Sequence, residues 1–482
     1  MSGAAENTVM MTQISSGQRH FIPRLGASIT GLNISSTGSL YAISLANNNI
    51  KIVDAGDLEL ISEFAGLQPI KRPSNKDESY RPPVTLLHPT REQLFINGSN
   101  EASGTLQGYD ILQDQQTVRL DVASLTRLKS TGTDLKPVSD PFLSHAAFTR
   151  DGKWLATIDE WNDRYALDDL SNMEVSLKFW DCSGKDWNVN TKIEYPHGIT
   201  SRVLALASPK TSQLEFATLG AEGTVKIWRL SVTPKERIWT LYRTIGSRVS
   251  TLNSEGGLTY STDGSIIAAG FGGHIYIINA QSGETVTSLH VSSSISKIEN
   301  LGRYFLYMYD DSSLFSVWDV ATGEILFTER LDRAYSSVAV NHSSSTFAIA
   351  SPSSKRGKTS IDISRIVEGK KVEEARINVD AFVASILGVE LPGFSGFIYV
   401  DDAGQIGFVS REEPVVEPTV EPAVDLSVGL MPKRVKKLTD EGKRDVSVYV
   451  PGVTTGKLRK VLEDNTSTNI VELFQNIFQS LY

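Results

Sequence analysis

One phrase, recurring at a near-constant interval, constrains this chain more than any other feature. Ser176–Gly184 reads SLKFWDCSG, Gly223–Ser231 reads GTVKIWRLS, and Ser313–Glu324 reads SLFSVWDVATGE. Each is an alternating run that ends in Trp and passes into a polar turn. GGHIYIINAQSGETVTSLHV, from Gly272, has the same shape with Ile278-Asn279 in place of Trp-Asp. NNIKIVDAGDLELISEF, from Asn48, is a weaker copy. Upstream of the phrase stands a second one, an apolar run, a polar turn with Gly, and another apolar run. LNISSTGSLYAIS from Leu32, AAFTRDGKWLATI from Ala146 and LTYSTDGSIIAAG from Leu258 are examples. A period of two residues over short runs between turn residues is the signature of strands.

Joined, the two phrases give four strands per unit, the blade of a β-propeller, whose repeat is about 40–45 residues. Units fall at 29–64, 84–122, 144–193, 203–245, 256–291, 295–331, 335–379 and 382–410. A single blade has two apolar faces and exposed edges. Stacking blades around a ring buries the faces and leaves only short edges. The Trp of each phrase is expected to pack between blades, with Trp180, Trp228 and Trp318 buried at equivalent strand ends. The usual Gly-His partner of the Trp-Asp pair is degenerate, since His197-Gly198 stands in reversed order. The expected fold is therefore all-β, a WD40-type propeller. Seven or eight blades are compatible with the units, and seven is favoured, with one marginal unit merging into a neighbour. A short helical tail follows.

The segments read as follows. Residues 1–25 resemble the outer half of a preceding blade, because VMMTQISSGQRHFIPRL from Val9 is strand, turn, strand with no inner half. The chain thus starts inside a repeat, as a fragment of a longer protein or a truncated gene model would, or else carboxy-terminal strands complete the first blade. Residues 26–410 form the propeller. Residues 411–455 form a flexible linker, first rich in Glu, Pro and Val (REEPVVEPTVEPAVD) and then basic (PKRVKKL). Residues 456–482 have helical spacing, with Ile470, Phe474, Ile477, Phe478 and Leu481 at three- and four-residue steps.

Cys182 is the only cysteine among 482 residues, so no internal disulfide is possible and a reducing compartment is expected. The amino terminus lacks the basic start and apolar run of a signal peptide, and no stretch is long enough to span a bilayer. A soluble, intracellular protein with no membrane contact is expected. A net charge of −9 does not suit a dedicated nucleic-acid-binding domain, so RNA contact would need a local patch.

Candidates for chemistry are few. His20, His88, His145, His197, His274, His290 and His342 are scattered and form no metal-ligand spacing. GFGG at 270–273 lacks the remaining residues of a phosphate loop and reads as a turn between strands. DEWNDRYALDD at 159–169 concentrates carboxylates in no calcium-loop pattern and reads as a rim insertion. No catalytic residue, cofactor or metal is assigned. Lys433, Arg434, Lys436 and Lys437 form a compact basic cluster, read either as a nuclear-import signal or as a solvated charge run. The closing helix either docks on its own domain or binds another subunit.

RHFIPRLGASITGLNISSTGSLYAISLANNNIKIVD, from Arg19 to Asp54, resembles the junction between the two propellers of one nucleolar WD-repeat family. This is the family of U3 small nucleolar RNA-associated protein seventeen, also called Net-associated nuclear protein. Phe21, Pro23, Arg24, Leu25 and Gly26 match its Phe-Leu-Pro-Arg-Leu-Gly phrase, with Ile22 for Leu, and Asn48, Asn49 and Ile50 match the phrase that follows. The resemblance implies a second propeller, a linker and a helical tail. It also implies a non-enzymatic scaffold of the UtpA subcomplex of the small-subunit processome. Such a scaffold works in early pre-ribosomal RNA processing and is linked to polymerase I transcription. Implied partners are UtpA and processome subunits, with pre-ribosomal RNA and U3 small nucleolar RNA as further ones, in the nucleus and nucleolus. The alternatives are another intracellular WD-repeat adaptor, or a propeller whose central channel binds a ligand or catalyses.

Overall fold

The computed structural model describes residues 2–3 and 7–410, other than 13–15, 24, 68–81, 98–103, 114, 124–140, 163–172, 185–186, 200, 247–254, 310–313, 332–335, 353–356 and 392–393, together with the strands Lys433–Lys437 and Ser447–Val450. The described residues contain no helix. Seven of the eight sequence units are four-strand antiparallel meanders, and the last, 382–410, supplies three strands of its sheet.

Seven of the eight units close a ring. Blade 1 holds Thr85–Leu87, Gln93–Asn97, Thr105–Asp110 and Gln115–Asp121. Blade 2 spans Phe142–Phe148 to Asn188–Glu194, and blade 3 Val203–Ala207 to Arg237–Ile245. Blade 4 spans Gly256–Tyr260 to Thr285–His290, and blade 5 Ile295–Leu301 to Glu324–Arg330. Blade 6 spans Ser337–Asn341 to Lys370–Val379, and blade 7 begins at Val383–Leu391. The inner strand of blade 7 lies against that of blade 1, so the ring closes between them. The hydroxyls of Thr85 and Ser385 hydrogen-bond across this seam. Leu94, Ile96 and Tyr109 of blade 1 pack there on Ile398, Val400 and Ile406 of blade 7.

The first unit is outside that ring. Its strands, Ile29–Ile34, Leu40–Leu45, Ile50–Asp54 and Leu60–Phe64, share a core with the three-stranded sheet of Ser2–Gly3, Val9–Thr12 and Arg19–Ile22. Seven blades is the number favoured from sequence, but it is reached by leaving out the unit at 29–64 rather than by merging two units. Asn48 ties that unit to the ring. Its amide donates to Leu67 O at 2.8 Å and to Ala403 O of blade 7 at 3.3 Å, and Leu67 sits in the closing seam.

Buried amides also stitch neighbouring blades together. Asn341 of blade 6 donates to Val389 O and Gly396 O of blade 7, each at 3.0 Å, while its own carbonyl accepts from Ser343 and Ser344. Buried amides fully satisfied in this way fix blade register, because any slip would strand them unpaired.

The repeated phrase has a geometric cause. The third strand of a unit shifts register against the fourth immediately before the Trp position. The same bulge occurs before Val53, Tyr109, Ile278 and Ser364, which therefore hold the Trp place in units that lack Trp. A bulge bends and twists the outer strand, and in the Trp units the indole fills the space against the preceding blade. Trp180, Trp228 and Trp318 are all buried at this point, as expected.

The segment read as a linker contributes two strands. Ser447–Val450 pairs with Ile406–Ser410 as the fourth strand of blade 7, and Lys433–Lys437 pairs outside it as a fifth.

Candidate functional site

The densest polar cluster among the described residues lies in blade 3 and grows out of the Trp position. Trp228 Nε1 donates to Thr218 Oγ1 on the neighbouring strand at 2.9 Å. Thr218 Oγ1 also meets His197 Nε2 at 2.8 Å, and His197 Nδ1 lies 2.6 Å from Glu222 Oε1. Ser201 and Thr224 donate short hydrogen bonds to the same carboxylate. His197 comes from the loop that enters the blade and Glu222 from the turn between its second and third strands. Four chain segments are thus pinned to one another.

A serine, a histidine and a carboxylate invite a hydrolase reading. Geometry rejects it, because Ser201 bonds the carboxylate rather than the imidazole. His197 is also 1% exposed and Thr218 fully buried, so no substrate reaches them. A buried, saturated network of this kind fixes structure. Blade 2 keeps half of it, with Trp180 Nε1 donating to Thr157 Oγ1 at 2.8 Å. Blade 4 replaces the pair with Ile278 and Ala269, and blade 5 has Tyr307 where the threonine would be.

The partner histidine also sets the electrostatics of the turn. Burial alone would push the Glu222 carboxyl up. The hydrogen bond and charge of His197, with the Ser201 and Thr224 hydroxyls, outweigh it and bring the carboxyl down to about 2. Asp401 occupies the same turn in blade 7, where it accepts the backbone N–H groups of Ala403 and Gln405. Burial raises its carboxyl to about 6, and the adjacent Asp402 adds to the rise.

A carboxyl raised in the folded state binds its proton more tightly there than in the unfolded chain. Its stabilising contribution is therefore full below about pH 4 and is lost as pH rises through about 6. Asp401→Asn keeps the accepting oxygen and removes the charge. It should raise the melting temperature at pH 8, by the equivalent of roughly 1–3 kcal/mol, and change it little at pH 4. Thermal denaturation at the two pH values checks this, and a variant less stable than the parent at pH 8 would refute it.

Other candidates resolve into packing. His88, buried against Phe148 with ring centroids 4.9 Å apart, is held down to about 4 by burial and the nearby Arg91. His145, His274 and His290 lie in strands, and GFGG is a tight turn with Gly272 and Gly273 at positive φ. Of the acidic run, Asp159 pairs with Lys178 at 2.8 Å and Glu160 with Arg202 at 2.9 Å, and 163–172 lie outside the described residues. A cleft of about 430 Å³ between blades 1 and 2 is lined by Lys178, whose Nζ is committed to Val122 O and Asp159. Among the described residues no three His, Cys, Asp or Glu side chains gather as a metal site would require.

Lys433, Arg434, Lys436 and Lys437 fall on the added fifth strand of blade 7, so the stretch is paired backbone rather than free linker. Ile470, Phe474, Ile477, Phe478 and Leu481 lie outside the described residues. Two features escaped the sequence reading. One is the completed His197–Glu222 network, signalled only by the reversed His-Gly. The other is the stack of Arg229 and Arg243 on Tyr242.

Comparison with known proteins bears on the ring directly. A family model described as the WD repeat-containing protein 75 second beta-propeller matches residues 85–373, starting at the residue that opens blade 1. U3 small nucleolar RNA-associated protein 17 of Schizosaccharomyces pombe is 26% identical over 356 residues, covering 68% of this chain and 44% of that protein. WD repeat-containing protein 75 of Xenopus laevis is 27% identical over 283 residues, 56% of this chain and 31% of that one. NET1-associated nuclear protein 1 of Saccharomyces cerevisiae is 29% identical over 168 residues, 33% of this chain and 18% of that one. The chain thus spans less than half the length of the curated relatives it matches. With the family model matched across more than half of its residues and the matched segment folded as a closed ring, this chain belongs to the WD repeat-containing protein 75 family, within the second propeller.

Proposed function

We propose that the chain is a non-enzymatic WD-repeat scaffold of the nucleolar small-subunit processome. In that role it acts in early pre-ribosomal RNA processing and is linked to polymerase I transcription of ribosomal RNA genes. The observation that carries this reading is the family match to the ring, supported by relatives whose names tie them to U3 small nucleolar RNA and to a nuclear protein. The saturated, buried polar network of blade 3 fits a scaffold, since it holds blades in place and offers no reactive group to solvent. Partners in this reading are UtpA and other processome subunits, with pre-ribosomal RNA and U3 RNA as finer expectations, in the nucleus and nucleolus. The basic strand at 433–437 serves import, and the apolar stripe from Ile470 to Leu481 docks into a neighbouring subunit.

The test is one experiment on a tagged chain in three forms. The parent should be nucleolar and co-purify UtpA subunits and U3 RNA. A form with Lys433, Arg434, Lys436 and Lys437 changed to Ala should shift towards the cytoplasm. Phe474→Ala with Phe478→Ala should cut recovery of the subunits by more than about tenfold, since interface anchors contribute upwards of 2 kcal/mol each. A parent that recovers no processome subunit overturns the function. Unchanged localisation or recovery in a variant overturns the role given to that segment.

A further inference from the structure

We infer that the outer hairpin of blade 3, Val225–Ile245, is a docking surface for an extended acidic segment of a partner protein. The inference does not depend on which assembly the chain joins.

Charge gives the first argument. The hairpin carries Lys226, Arg229, Lys235, Arg237 and Arg243 against Glu236, and with Arg229 offset by Glu215 on the neighbouring strand a local +3 remains in a chain of net −9. Such a reversal of sign on one edge attracts an anionic partner and fixes its orientation.

The second argument is the preformed anchor. Tyr242 is 47% exposed, yet both its neighbours are fixed. The Arg229 guanidinium lies 3.6 Å from the ring centroid and is itself held by Glu215 at 2.6 Å. Arg243 lies 5.4 Å from the ring and donates to Gln281 O at 2.8 Å. A ring gripped by two cations costs little entropy to bind against, and Tyr and Arg are both enriched among interface anchors.

The third is the edge. Asn190 and Thr191 of blade 2 occupy the outer side of the strand at Arg237 and Trp239, and the strand runs on to Ile245 beyond them. Leu241 and Tyr242 are exposed on that stretch, with Val232 on the same hairpin and Val286 on the outer strand of blade 4. Two other edges are protected differently. The outer strand of blade 6 mixes Lys370, Lys371, Glu373, Glu374 and Arg376, and the outer strand of blade 7 is covered by Lys433–Lys437. An edge that no described residue covers, with apolar side chains on it, is a template for strand addition. RNA suits this place less well, because Arg229 already covers one face of the Tyr242 ring, where a base would stack, and the exposed neighbours Leu241 and Val232 are aliphatic.

The probe is a fluorescein-labelled peptide of five Glu-Val repeats, which as a strand presents carboxylates on one face and valines on the other. Controls are the Lys-Val counterpart and a uridine oligonucleotide. The full chain should bind the Glu-Val peptide more weakly as salt rises and should ignore the Lys-Val peptide. Tyr242→Ala and, separately, Arg243→Glu should each weaken binding by about tenfold with unchanged melting temperature. Arg229 is left intact because it neutralises the buried Glu215. Absence of peptide binding, equal affinity in both variants, or binding of the oligonucleotide instead through these residues would overturn the inference. None of these outcomes touches the processome reading, since no processome component is in the assay.

Discussion

Replacing His197 with Ala is expected to lower the stability of the ring by about 3–5 kcal/mol above pH 5, the cost of removing one partner from a buried, hydrogen-bonded pair. Glu222 would keep the Ser201 and Thr224 hydroxyls but lose the imidazole that offsets its burial, and Thr218 would lose one of its two ring partners. The pH dependence carries the sharper expectation. Glu222 is depressed to about 2 in the parent, so its contribution is present above about pH 4.5 and is lost only as pH falls through about 2. Without His197 the carboxyl can take up a proton at much higher pH and shed its burial penalty. The gap between parent and variant should therefore narrow between pH 6 and pH 3. Thermal unfolding across that range measures it, and a constant gap, or a loss below about 1 kcal/mol at pH 7, would show that the network is ornamental.

Gly388→Ala should be almost as damaging, by a different mechanism. Gly388 lies on the inner strand of blade 7, and a Cβ there would run into the carbonyl of Val340 on the inner strand of blade 6. The atoms it would meet are all backbone, of Val340 and Asn341, so no side chain can rotate away. Inner strands of a closed ring have no free direction in which to retreat. The displacement would also strain Asn341, which donates to Val389 O next to the substitution. Overpacking in a core costs about 1–3 kcal/mol and occasionally more, and the upper end is expected here. Gly31→Ala provides the control, since its Cβ would meet Ser44 at an ordinary 3.5 Å and should cost under about 1 kcal/mol. Chemical denaturation of both variants decides the matter, and equal midpoints would refute the steric account.

The strands themselves were legible because their cause is local. An apolar residue on every second position and Gly, Asn or Asp at the turns report which segments pair, and each of the eight units read this way is a sheet. The Trp positions were legible for the same reason, as a large residue marks the bulge that recurs in unit after unit. Units without the Trp, such as that with Ser364 at the bulge, carry no such mark, because any residue that fits the gap serves there.

What the sequence could not decide was which units share a ring. Every blade presents the same two apolar faces, so the unit at 29–64 looks no different from one that belongs to the propeller. The contact of Thr85 with Ser385, and the packing of Leu94 and Ile96 on Ile398 and Val400, close seven blades and leave that unit on the preceding sheet. The His197–Glu222 network was hidden in the same way. Its members are 25 residues apart on separate loops, and a reversed His-Gly gives no local sign that the ring will reach Thr218. Alternation along one strand is written in neighbouring residues, whereas closure and long-range hydrogen bonding depend on where distant strands meet. The sequence by itself determined the blades, and tertiary structure decided how many of them make the ring and which polar groups lock it.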